Sequence, residues 1–153
     1  MMKKITAAML ALLFCVILLV SCGGPKTAIS VETFDAKADE AGFTVVDATE
    51  QFDESDVVSV HIAMGTGYHI EFYVVPTEQQ AIAAYNQNKA IFEAAKGSTS
   101  SHSDVNLSNY SKYTQTSAGT HSVISRIDNT FIYVNADESY KSEINDFLKE
   151  IGY

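Results

Sequence analysis

Residues 58–74, with the sequence VSVHIAMGTGYHIEFYV, are the clearest fold signal in this chain. Large apolar side chains alternate with small or polar ones on both sides of Gly65-Thr66-Gly67, and a period of two is typical of β-strands. The two glycines can supply the left-handed conformation of a three-residue hairpin loop. The stretch therefore predicts an antiparallel β-hairpin that pairs symmetrically about Thr66.

Symmetrical pairing puts the large apolar groups of both strands on one face of the hairpin. The predicted pairs on that face are Val58 with Val74, Val60 with Phe72, and Ile62 with Ile70. On the other face, His61 would lie opposite Glu71 and Ala63 opposite His69. Two imidazoles and a carboxylate could then bind a divalent cation such as zinc. The alternative is a polar sheet face with a cross-strand ion pair, and a slip of one residue would separate the three side chains.

Three helices are predicted around the hairpin. Ser30 is the N-cap of a helix over 31–41, and Thr77 with Gln80 forms a capping box at the start of a helix over about 78–96. Asp137 is the predicted N-cap of a third helix, over about 138–151.

Further strands are predicted before and after the second helix. They cover 43–49, about 107–116, 121–127 and 130–136. The last two are joined by Asp128-Asn129, because both residues tolerate positive φ. The serine-rich segment 98–104 is predicted to be a polar loop.

Short connections between strands favour antiparallel pairing. The predicted fold is therefore α+β, with two layers: a mostly antiparallel sheet and about three helices on one face. A helix followed by three strands occurs over 31–75 and again over 78–136, which is consistent with a diverged internal αβββ duplication.

The N-terminal segment carries the features of an export signal. Lys3 and Lys4 precede an apolar run over 5–20, which is shorter than the roughly 20 residues that a membrane-spanning helix needs. The stretch 19–22, Leu-Val-Ser-Cys, resembles the lipobox of bacterial lipoproteins, and the chain as a whole is similar to small lipoproteins of anaerobic Firmicutes. The resemblance implies cleavage after Ser21, lipidation of Cys22 and anchorage on the outer face of a membrane. An ordinary secretory signal with a chance cysteine is the alternative.

This interpretation divides the chain into three parts. Residues 1–21 are the signal peptide, residues 22–29 are the lipidated N-terminus and a tether, and residues 30–153 are a single α+β domain. The two cysteines, Cys15 and Cys22, fall outside that domain. A disulfide, a zinc–thiolate site and a cysteine nucleophile are therefore excluded there.

The charge of the chain makes nucleic acid an improbable partner. The formal net charge is −9. Removal of Lys3 and Lys4 with the signal would leave 8 basic residues against 19 acidic ones, or −11. Phosphate binding requires clustered cations, and Arg126 is the only arginine.

Two further residues are candidates for ligand contacts. Arg126, predicted to lie on a strand, could bind a carboxylate bidentately or pair with an acid of the chain itself. Tyr73 belongs to a set of tyrosines that could form a binding platform for a sugar or peptide. Alternatively, they could be core residues whose hydroxyl groups are solvated. The other members of the set are Tyr68, Tyr110, Tyr113 and Tyr133.

The sequence predicts binding and no catalysis. It lacks the Gly-x-Ser-x-Gly elbow of serine hydrolases, and nothing designates a base for Ser122 or Ser125 beside His121. We therefore expect a membrane-anchored extracytoplasmic protein of the cell envelope, without a cofactor, that binds an envelope protein or an extracellular polymer. The alternative is a zinc-binding lipoprotein that uses His61, His69 and Glu71.

Overall fold

The computed structural model describes residues 24–153, so the predicted signal peptide and Cys22 lie outside the described residues. The helices are α1 (Val31–Glu40), α2 (Glu78–Ala94) and α3 (Lys141–Glu150). The strands are β1 (Thr44–Asp47), β2 (Ser59–Met64), β3 (His69–Val74), β4 (Ser100–Asn106), β5 (Tyr110–Ser117), β6 (Thr120–Ile127) and β7 (Thr130–Asp137). Short 3-10 turns occur at Thr49–Gln51 and Glu138–Tyr140. Within residues 24–153, no helix has the length and apolar character needed to cross a membrane.

All seven strands belong to one antiparallel sheet with the order β1-β2-β3-β7-β6-β5-β4. Together with the three helices, this sheet confirms the predicted α+β class. The strands before α2 are β1–β3, whereas four strands, β4–β7, follow it. The second half therefore contains one strand more than the proposed repeat, and the duplication stays a prediction.

The helices cover both faces of the sheet. On the first face, α1 and α3 bury Phe34, Ile144 and Leu148 against strand residues that include Phe72 and Ile132. On the second face, α2 buries Ala81, Tyr85 and Phe92 against residues that include Ile124 and Phe131. The expected two-layer arrangement with all helices on one face is therefore not found. The central strands instead bury side chains on both faces, as seven consecutive buried residues of β6 show.

Local capping signals place the helix starts as predicted. The Ser30 side chain accepts a hydrogen bond from the Thr33 N–H at 3.3 Å, and the Thr77 side chain accepts one from the Gln80 N–H at 3.2 Å. Asp137 instead accepts from the Ser139 N–H and caps the 3-10 turn that precedes α3.

The segment predicted as a loop at 98–104 contains most of strand β4. Its residues are polar and exposed after Ser100, so the sequence shows no apolar alternation. The strand forms because its backbone pairs with β5 over seven residue positions, from Ser100 opposite Ser117 to Asn106 opposite Ser111. Strand β4 is one edge of the sheet.

The predicted register of the β2–β3 hairpin is wrong by one residue. Val60 pairs with Tyr73 and Ile62 with Glu71. The Gly65 N–H donates to the Tyr68 carbonyl at 2.9 Å, which continues this register and leaves Thr66 and Gly67 as the two central residues of the turn. The ring of Tyr68 is buried against Phe43 and Tyr140, with centroid distances of 5.8 and 4.7 Å. Apolar residues of β2 and β3 consequently point to opposite faces.

Candidate functional site

The observed register separates the three residues of the predicted zinc site. His61 pairs with Phe72 and lies on the first face, whereas His69 and Glu71 lie on the second face. His61 Nδ1 is 2.8 Å from Asp35 Oδ1, so its imidazole joins β2 to α1. The three side chains do not converge. No group of three or more His, Cys, Asp or Glu residues within 24–153 is arranged to hold a metal ion.

One row of side chains crosses the whole second face and contains Glu71. The registers give its order as Val46, Ile62, Glu71, Tyr133, Ile124, Tyr113 and Asp104, one residue from each strand. Helix α2 lies over β5, β6 and β7, where Tyr113 and Ile124 are fully buried. The other end of the row, on β1 and β2, reaches the surface.

Five residues at this surface form a patch that we name the open face: Val46, Ile62, Met64, His69 and Glu71. Val46 is 43% exposed and Met64 is 44% exposed, and Ile62 between them is half-buried. Val46 is the direct cross-strand neighbour of Ile62, and Ile62 that of Glu71. The open face is therefore an apolar strip with a carboxylate along one side.

The Glu71 carboxylate is held by two neighbours on its own strand. Side chains two residues apart lie on the same face of a strand, so His69 and Tyr73 flank Glu71. His69 Nε2 is 2.9 Å from Glu71 Oε1, and the Tyr73 hydroxyl donates to Glu71 Oε2. The Glu71 side chain is 18% exposed. The carboxylate is thus fixed in position and largely withdrawn from water.

A cavity of about 300 Å³ opens beside this carboxylate, between β3, β7 and α2. Glu71, Tyr73, Asn88, Phe131 and Tyr133 line it. Tyr73 stacks on Phe131 with a centroid distance of 4.4 Å and an interplanar angle of 9°. Burial, with a contribution from the nearby Glu71 charge, raises the pKa of both Tyr73 and Tyr133 above the ordinary tyrosine value. Both phenols are therefore neutral at physiological pH.

Arg126 is also on the second face but is bound within the chain. It is 3% exposed, and its Nη1 donates to Glu78 Oε1 at 3.0 Å and to the Asp128 carbonyl at 3.2 Å. Its Nη2 donates to the Ser108 carbonyl at 3.4 Å. The structure therefore shows Arg126 in an intramolecular ion pair with Glu78, which was the alternative to binding a ligand carboxylate. A separate cavity of about 190 Å³ lies beside this group.

Comparison of the chain with protein-family models, with curated proteins and with solved structures finds no match. The geometry of the open face and of the cavity beside it is therefore the basis for the proposed function.

The structure brings together two predicted site residues, Glu71 and Tyr73, and adds Asn88 and Phe131 to them. Both additions are hard to identify from sequence. Asn88 falls in the apolar stripe of the predicted second helix, and Phe131 falls in the alternating pattern of β7, so each resembles a core position. Only the pairing of β3 with β7, in which Tyr73 lies opposite Phe131, shows that they share a cavity.

Proposed function

We propose that this chain is a lipid-anchored extracytoplasmic protein of the cell envelope whose α+β domain binds a partner without catalysis. Cys22 carries the anchor, and the open face carries the contact. The partner is an envelope protein, with an extracellular polymer as the other class of binder.

The observation that supports this proposal is the incomplete cover of the second face. Helix α2 lies over β5–β7, whereas Val46 and Met64 on β1 and β2 are exposed beside Ile62. Contiguous apolar groups on a folded surface commonly mark interaction sites. An apolar strip next to a positioned carboxylate suits a protein surface better than a hydroxyl-rich polymer, because burial of apolar area is the main driving force for association.

The attachment point of the N-terminal segment is compatible with a tethered binder. Lys26 N donates to Asn109 Oδ1 at 3.2 Å, and Lys26 Nζ donates to the Gly152 carbonyl at 2.6 Å. Ala28 and Ile29 pack against the core of the first face. The chain therefore joins the domain on the face opposite to the open face. A membrane anchor preceding Lys26 would leave the open face accessible.

A site-specific photo-crosslinker tests the binding proposal in cells that make the protein. The crosslinker replaces Met64 in the open face, or Leu107 as a control at an exposed apolar position outside it. A discrete adduct from position 64, absent from position 107 and abolished by Val46→Glu, is expected. An adduct retained in insoluble polymer would identify the polymer class. Equal adducts from both positions would refute the proposal.

Metabolic labelling with a palmitate analogue tests the anchor independently. Cys22→Ser should remove the label and release the chain from the membrane fraction, whereas Cys15→Ser should leave the attached lipid unchanged. A labelled Cys22→Ser chain would contradict lipidation at Cys22.

A further inference from the structure

The cavity beside Glu71 is lined by one carboxylate, one side-chain amide and three aromatic rings. The Glu71 carboxylate accepts only, and the Tyr73 hydroxyl already donates to it. Asn88 Nδ2 donates to the Ala84 carbonyl at 2.9 Å, which leaves Asn88 Oδ1 as an acceptor. No lysine or arginine is among the lining residues. The charge of the lining is therefore negative, and an ammonium group, which is positive and donates only, complements it.

Among the residues that the structure describes, no lysine or arginine pairs with the Glu71 carboxylate. The lysine and arginine ion pairs there are formed by Lys37, Lys89 and Arg126 with other acids. The ionisable side chain that contacts Glu71 is the His69 imidazole, at 2.9 Å. A carboxylate that is 18% exposed gains more from a cation than a fully hydrated one does, because screening by water is weaker there.

The aromatic residues of the cavity pack against neighbouring rings. One face of Tyr73 is covered by Phe131, and Phe52 packs edge-on against it at 5.8 Å. Tyr133 stacks on Phe92 at 5.5 Å. A sugar ring and a cation both use the face of an aromatic ring, so the rings do not discriminate between them. The Glu71 carboxylate does, because it attracts a cation and not a neutral sugar.

We propose that this cavity binds an alkylammonium group, and that a lysine side chain of the partner protein supplies it. This inference rests on the proposed function. The ammonium would lie between the Glu71 carboxylate and Asn88 Oδ1, and the aliphatic chain would run along Ile62. A volume of about 300 Å³ is at the small end of ligand cavities, which suits one side chain. The net charge of −9 would attract basic partners over longer distances.

Nuclear magnetic resonance titration of the whole chain tests the inference. The probes are Nα-acetyl-lysine amide, its neutral analogue Nα-acetyl-norleucine amide, and 1,5-diaminopentane. The lysine probe should shift the signals of Ile62, Tyr73 and Tyr133, and the norleucine probe should bind about tenfold more weakly or worse, since a charged hydrogen bond is lost. Tighter binding of the lysine amide than of the diamine would indicate a partner side chain. The reverse would indicate a free amine at the same site.

Two variants separate a specific site from general attraction to an acidic protein. Glu71→Gln should weaken the lysine probe about tenfold, whereas Glu93→Gln, at an exposed position on α2, should leave its affinity unchanged. Equal affinity for the lysine and norleucine probes, or equal effects of the two variants, would overturn the inference.

The crosslinking experiment keeps this inference distinguishable from the proposed function. If the adduct at position 64 persists in Glu71→Gln while the lysine probe shows no preference over norleucine, the open face binds a partner and the amine inference alone fails. If the adduct at position 64 is absent, the proposed function fails whatever the probes show.

Discussion

Replacement of Arg126 by methionine tests whether this arginine stabilises the fold or is reserved for a ligand. The guanidinium is 3% exposed and makes three hydrogen bonds, to Glu78 and to the carbonyls of Asp128 and Ser108. At about 1 kcal/mol each, their loss would cost about 3 kcal/mol. Relief of the desolvated charge and the apolar burial of methionine offset part of this. We expect a net loss of about 2 kcal/mol in the free energy of unfolding.

Urea unfolding of the whole chain measures this difference from the transition midpoint at constant slope. Lys37→Met is the matched control. Lys37 also pairs with two acids, Glu40 at 2.7 Å and Glu150 at 3.2 Å, but its side chain is 38% exposed. Its loss should cost less stability than the loss of Arg126, because water screens exposed ion pairs. If Arg126→Met were as stable as Lys37→Met, the structural role would be refuted and Arg126 would again be a ligand candidate.

Three further predictions test the core of the first face, the open face and a buried histidine. Phe72→Ala should lower the free energy of unfolding by about 3–5 kcal/mol because Phe72 is fully buried, whereas Phe52→Ala, at a side chain that is 40% exposed, should lower it by about 1 kcal/mol. Equal losses in urea unfolding would contradict the assigned core. Met64→Glu should change stability by less than about 0.5 kcal/mol, whereas Ala63→Glu, at 0% exposure, should prevent folding as judged by circular dichroism; a folded Ala63→Glu chain would contradict the strand faces. Burial lowers the pKa of His121 below the ordinary histidine value, so the unfolded chain binds a proton at this position more readily as the pH falls below about 6.5. His121→Gln should therefore lose less stability than the wild type between pH 7 and pH 5, and parallel stability curves would contradict this role.

Local signals were sufficient to predict two helix caps, the turn between β6 and β7, and the α+β class. Ser30 and Thr77 start their helices as predicted, because an N-cap interaction involves only neighbouring residues. The turn at Asp128-Asn129 joins β6 to β7 as predicted, with Asp128 at a φ of 51°. These features depend on a few consecutive residues, so the sequence contains all the necessary information.

The open face and its cavity could not be predicted, because both depend on long-range packing. An alternating strand sequence fits either of two registers equally well. The two registers differ at the turn, where Gly65 pairs with Tyr68 and Thr66 and Gly67 are the central residues. Helix α2 carries an apolar stripe that fits either face of a sheet. Local patterns therefore could not predict that α2 packs on the second face or that it leaves β1 and β2 uncovered there.

The β2–β3 register is the feature on which the open face depends, and cross-strand nuclear Overhauser contacts measure it directly. The structure predicts backbone contacts between Ile62 and Glu71 and between His61 and Phe72. Contacts between His61 and Glu71, with Ile62 opposite Ile70, would contradict it. That result would move Ile62 away from Glu71 and restore the cluster of His61, His69 and Glu71.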